Sequence, residues 1–255
     1  MAMLCIYKCT LCSLRNQILQ QRSLSTYTSV YRVNEDDIKG KLEQLRGGSV
    51  DLQKDQNGIA TLIINHPERM NAFSGWIEDV HVHAEYFDKT TECRLPLISV
   101  ALVQGKALGG GAEVATACDF RLMTSGSEIR FVHKLMGLVP GWGGATRLIK
   151  LIGYRNALKL LTSAQHVDPA MGLNIGLVDE ILVSSDEESS LKEAHNWLNQ
   201  YIKGSSQVIR AIKNVVVSGR ELSQEESLKN EKIIFGTLWG SPANLKALAQ
   251  GIKHK

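Results

Sequence analysis

The sequence is sparing with the residues that mark special environments. It holds five prolines and five cysteines among 255 residues, aromatics make up 6%, and the formal net charge is only +3. With 29 Lys plus Arg against 26 Asp plus Glu, the chain lacks the large, clustered basic surplus of a polyanion binder, so no nucleic-acid partner is expected. It also lacks an apolar run long enough to span a bilayer, and no membrane partner is expected. The cysteines at 5, 9, 12, 93 and 118 are odd in number and crowded toward the start. That is no framework for secreted disulfides and fits a reducing compartment. The spacing Cys5-x3-Cys9-x2-Cys12 matches an iron–sulfur ligand set, but only four residues precede it. Such a cluster needs a preceding strand and a surrounding barrel, and the spacing is read as coincidence.

What is present is globular: 44% hydrophobic and 22% charged residues predict a real core, and the length fits one main α/β domain with an appendage. Residues 1–34 carry Lys8, Arg15, Arg22 and Arg32, several Ser and Thr, and no acid before Glu35. They read as a transit-like or disordered segment, with the mitochondrial matrix as the compartment such a leader would imply. The core is placed at 50–190. Ile59 to Ile64, Leu97 to Val103, Asp119 to Met123 and Ile129 to Phe131 read as strands, and Ala112 to Cys118 as a helix between two of them, which is an α/β alternation. Residues 191–255 form a helical region: Leu191, Ala194, Leu198 and Ile202, then Val208, Ile212 and Val215, then Leu228 recur at helical spacing. Three or four helices are expected there, packing on the core or on another subunit. Glu221 to Glu231 reads as a solvated helix face, and Asp168, Asp179 and Glu180 as surface charge with no catalytic role.

The most informative stretch is Gly105-Lys-Ala-Leu-Gly109-Gly110-Gly111-Ala112-Glu113, between a predicted strand and a predicted helix. Successive glycines let a ligand approach the main chain, and the free N–H groups of the helix start point outward at its positive end. The stretch lacks the third glycine of a dinucleotide fingerprint and the Lys-Ser/Thr of a P-loop. What remains is an oxyanion site with Glu113 one helical turn away, or a tight turn chosen for close helix–sheet packing.

Val100 to Glu113, followed by Ala117-Cys-Asp-Phe-Arg121 and by Gly137-Leu-Val-Pro140-Gly-Trp-Gly-Gly144-Ala-Thr-Arg147, resembles the crotonase (enoyl-CoA hydratase/isomerase) superfamily. His66-Pro-Glu-Arg-Met-Asn71-Ala72 resembles its first acyl-CoA loop. The resemblance runs in the family's order across 58–182, with the helical tail fitting onward. It implies a crotonase-type spiral of β-β-α units with a C-terminal helical region. It further implies an acyl-CoA substrate, no cofactor beyond the coenzyme A that belongs to that substrate, a homo-oligomer (trimer or hexamer) and residence in the cytosol. By the same resemblance, Gly110 N–H is a donor to the thioester oxygen, and Asn71, Ala72, Gly109, Gly111, Pro140 and Gly141 contact acyl-CoA. Glu113 matches the first of two acid/base positions and His133 fills the second. Phe131-Val-His133-Lys, Trp142 to Arg147 and Pro242-Ala-Asn-Leu245 are similar to the decarboxylating members, which implies loss of carbon dioxide from an ethylmalonyl or methylmalonyl thioester through an enolate. The alternatives are a hydratase or isomerase on the same scaffold, or a catalytically impaired variant.

The chain departs from that family between Ala72 and Arg94, where a helix, a strand and a loop carrying the second oxyanion donor are normally inserted. Residues 75–93 are too short to hold them, so an incomplete sheet is expected. His81, His83, Glu85 and Cys93 have metal-ligand side chains, but i and i+2 face apart on a helix and converge only on a strand; no metal is expected.

Overall fold

A computed structural model describes residues 2–8, 49–54, 59–65 and 97–250. The strands are β1 (Ala2–Lys8), β2 (Ser49–Lys54), β3 (Ile59–Asn65), β4 (Ser99–Val103), β5 (Lys106–Leu108), β6 (Phe120–Thr124), β7 (Glu128–Arg130) and β8 (Glu180–Leu182). The helices are α1 (Gly110–Ala117), α2 (Gly144–Ser163, interrupted at Gly153), α3 (Pro169–Asn174), α4 (Glu187–Ile202), α5 (Ser206–Glu221), α6 (Gln224–Leu238) and α7 (Pro242–Ala249). A 3₁₀ turn spans His133–Met136.

One sheet has the order β2-β3-β1-β4-β6-β8, and β5 pairs with β7 in a second, two-stranded sheet. Among the described residues the strands form an α/β frame that does not close into a full spiral, as expected. β4, β6 and β8 run parallel, while β1 pairs antiparallel with both β3 and β4. Residues 2–8, within the transit-like or disordered segment expected at 1–34, are thus strand β1; 9–34 lie outside the described residues.

β4 reads as an unbroken apolar run because both of its faces are covered. Its alternating side chains serve two cores: Ala101 and Val103 pack with Ala112, Ala115, Leu148 and Phe131, whereas Val100 and Leu102 pack with Leu198 and Ile202. α1 and α2 lie on the first side and α4 on the second. Phe120 fastens α4 to β6 by stacking on Tyr201 and meeting Trp197 edge-on, with ring centroids 5.1 and 5.2 Å away.

Asp179 is exposed, as expected of a surface charge, and its Oδ2 accepts from Arg121 N at 2.7 Å and from Nη2 at 3.2 Å. Arg121 is 2% exposed and also donates to the carbonyls of Cys118, Asp119 and Leu177. Asp168 is the N-cap of α3, accepting from Met171 N at 2.7 Å. The helices expected from 191 onward are α4 to α7. Among these, α5, α6 and α7 bury no residue, and Ile212, Val216, Phe235 and Trp239 are each more than half exposed.

Candidate active site

The glycine cluster forms the start of α1. Gly109 is its N-cap at φ 53 and ψ −115, a conformation closed to residues with a side chain, and no side chain caps the helix. The N–H groups of Gly110 and Gly111 in the first turn have no acceptor within the helix and face outward at its positive end. Gly109 N donates to Arg130 O at 3.0 Å, and a Cβ on Gly109 would meet Val132 Cγ2 at 3.4 Å. The turn therefore lies directly against the segment that leads into His133.

Glu113 follows Gly110 by three residues and is 2% exposed. Its carboxylate is surrounded by donors. Oε1 faces His133 Nε2 at 2.8 Å and accepts from Gly141 N at 3.3 Å; Oε2 accepts from Trp142 N at 2.8 Å and Gly144 N at 3.0 Å. Burial by itself pushes the carboxyl pKa up, but the His133 bond and the N–H groups of Trp142 and Gly144 outweigh it and hold the group below the ordinary glutamate value. Glu113 is thus an ionised, fully engaged carboxylate that binds three elements together: α1, the turn at His133 and the start of α2.

Arg147 completes the arrangement. From the first turn of α2 it donates to Trp142 O at 2.7 Å, Glu113 O at 3.1 Å and Thr116 Oγ1 at 3.2 Å. Sequence reasoning treated Arg147 and Gly144 only as parts of a motif. The signal available was the run Gly141-Trp-Gly-Gly144, which leaves several main-chain N–H groups unobstructed.

The structure thus brings together Gly109, Gly110, Gly111, Glu113, His133 and Gly141, with half-buried Pro140 leading into the loop. Asn71 and Ala72, and the His81, His83, Glu85 and Cys93 set, lie outside the described residues. Beside the site, Leu135, Met136, Leu138 and Val139 are 60 to 80% exposed, an apolar patch contiguous in sequence with His133. Chemically the arrangement offers main-chain donors for a developing oxyanion next to a carboxylate–imidazole pair.

The sequence profile of the enoyl-CoA hydratase/isomerase family matches residues 78–247. The ethylmalonyl-CoA decarboxylase of Xenopus tropicalis is 52% identical, covering 93% of this chain and 94% of its own length. That of Homo sapiens is 47% identical over 92% of each. The Xenopus alignment runs over 283 positions, more than the 255 residues of this chain, so the relative carries internal residues that are missing here. Among solved structures, an enoyl-CoA hydratase subunit from Geobacillus kaustophilus aligns with a TM-score of 0.65 at 21% identity, covering 81% of this chain and 96% of its own. One from Thermoplasma volcanium aligns at 0.63, also at 21% identity, over 79% and 96%; both support the fold alone.

Proposed function

The chain belongs to the enoyl-CoA hydratase/isomerase family, and from that premise we propose that it is an acyl-CoA decarboxylase acting on ethylmalonyl-CoA, with methylmalonyl-CoA as a second substrate. Loss of carbon dioxide from a malonyl-type thioester leaves an enolate. Its oxygen needs preorganised N–H donors, each worth ~100- to 1,000-fold in rate; Gly110 N–H at the start of α1 is the donor this chain retains. By the family resemblance, Gly109, Gly111, Pro140 and Gly141 contact the acyl-CoA, as do Asn71 and Ala72, which lie outside the described residues. The chemistry calls for no cofactor, since the thioester carbonyl is the electron sink.

The observation that carries this reading is the histidine 2.8 Å from Glu113. Water addition to an alkene uses two positioned acid/base groups acting together, and here the buried carboxylate is already committed to four donors. Carbon dioxide release from ethylmalonyl-CoA, measured beside hydration of crotonyl-CoA, tests it. Release without hydration is expected, and hydration alone overturns the assignment.

The exposed apolar faces of α5, α6 and α7 support a homo-oligomer, trimer or hexamer, in which these helices are covered by other copies. Light scattering on the eluted protein checks this, with a monomer as the contrary result. We place the protein in the cytosol. Supporting this, β1 lies between β3 and β4, so cleavage of a leader containing it would remove a sheet strand. A reporter fused to residues 1–34 and found processed in the mitochondrial matrix would overturn that assignment.

A further inference from the structure

Resting on the decarboxylase reading, we propose that His133 delivers the proton to the substrate α-carbon through Nδ1, and that Glu113 is a positioning residue that fixes the ring. Glu113 accepts from the N–H groups of Gly141, Trp142 and Gly144. Main-chain N–H groups can only donate, and with the His133 bond they hold the carboxyl pKa below the ordinary glutamate value against the effect of burial, so the group is ionised and holds no proton to give. The fourth partner, His133 Nε2, consequently carries a hydrogen. This leaves Nδ1 as the ring atom with a function still open, and ring geometry directs it away from Glu113. Nδ1 is buried and has no hydrogen-bond partner among the described residues, an arrangement that costs free energy unless a ligand meets it. The segment carrying it packs against the Gly109 turn. The α-carbon of a bound thioester is two bonds from the oxygen held at Gly110, so both ends of the enolate fall beside these groups.

The step balances as follows. The bond between the α-carbon and the carboxylate breaks, carbon dioxide leaves, and the electron pair enters the thioester enolate. His133, protonated on both nitrogens, forms the new carbon–hydrogen bond with its Nδ1 proton. It keeps Nε2–H on Glu113 and takes its next proton at Nδ1 from water. One proton is consumed for each carbon dioxide lost. The arrangement parallels a carboxylate that holds an imidazole in one tautomer while the other nitrogen does the proton transfer.

The test is the stereochemistry of protonation. Ethylmalonyl-CoA is turned over in D2O and the configuration at C2 of the butyryl-CoA formed is determined; in parallel, butyryl-CoA alone is incubated with the protein in D2O and exchange at C2 is followed. His133→Gln keeps an amide able to donate to Glu113 but has no acid at the Nδ1 position. The unsubstituted chain is expected to place deuterium on one face. His133→Gln should melt like the parent, still release carbon dioxide, and give both configurations equally with loss of single-face exchange. Single-face deuteration by His133→Gln overturns the proposal. Should that variant not fold, the same readout on His133→Asn decides, single-face deuteration there again overturning it. Carbon dioxide release by the parent with deuterium on both faces overturns the His133 assignment alone. Single-face exchange of butyryl-CoA without carbon dioxide release from ethylmalonyl-CoA overturns the decarboxylase reading and leaves His133 in place; neither reaction in the parent overturns both.

Discussion

A Cβ on Gly144 would lie 2.4 Å from Glu113 Cγ and 2.7 Å from Glu113 Oε2: the two residues share one space, and the carboxylate reaches the start of α2 because residue 144 has no side chain. Gly144→Ala forces either the carboxylate or the helix start to move. Overpacking of a buried site costs about 1–3 kcal/mol, so a lower melting midpoint is expected together with weaker turnover. A variant with parental melting and parental rate would show that Glu113 can leave its four donors without consequence.

Glu113→Gln is expected to impair both turnover and stability. A glutamine carries no charge for the surrounding N–H groups and presents hydrogens either to Gly141 N or to Trp142 N and Gly144 N, so it gives up charge-assisted hydrogen bonds worth about 1.5–3 kcal/mol. The pH dependence follows from the direction of the shift. Burial raises the Glu113 pKa, but the His133 bond and the N–H groups of Trp142 and Gly144 bring it below 4.5. A depressed carboxyl pKa contributes stability that is present above 4.5 and is lost as pH falls through the folded value. Melting midpoints followed into acid should therefore fall less steeply for Glu113→Gln than for the parent. Parallel acid limbs would mean that the carboxylate is not held in its charged form by folding.

These two residues differ in how legible they are in sequence. Glu113 stands out because it follows three glycines at the predicted start of a helix, and the apolar run at β4 is plain because both of its faces are covered. Gly144 gives no local sign of what it touches, since Glu113 is 31 positions away and the contact depends on α1 and α2 packing. α2 itself is obscured in sequence by Gly153, at φ 76, which divides its periodicity in two. β5 and β8 have three residues each, too few to show an alternation. The ion pair of Asp179 is hidden in the sequence because its partner, Arg121, is 58 positions distant and is brought to it only when β8 lies beside β6.

The Arg121–Asp179 pair predicts an asymmetry. Burial lowers the Arg121 pKa despite the nearby Asp179 charge, and burial raises that of Asp179 despite the nearby guanidinium. Desolvation thus outweighs attraction on both sides. Asp179→Asn removes a charge that the fold already disfavours and should be mild. Arg121→Met takes a donor from Asp179, which keeps contact with solvent, and leaves the carbonyls of Cys118, Asp119 and Leu177 without theirs, at about 1–3 kcal/mol for a buried acceptor left unpaired. Chemical denaturation of both variants checks the order, and equal losses would place the energy in the ion pair rather than in the carbonyl contacts.

The internal residues missing from this chain set the last expectation. By family resemblance, the second oxyanion donor comes from the helix-strand-loop segment normally found between Ala72 and Arg94. Gly110 alone then faces the enolate oxygen, a loss of about 3 kcal/mol, or ~100-fold in rate. The same segment normally adds a strand to the sheet, whereas here β1 lies between β3 and β4, pairing antiparallel with both. Splicing a family-type segment between Gly75 and Arg94 should therefore raise carbon dioxide release from ethylmalonyl-CoA by about two orders of magnitude and sharpen cooperative melting. If the unmodified chain already turns over at the spliced chain's rate, residues 75–93 must themselves supply a donor. The two-donor requirement would then be met by a different stretch of main chain in this protein.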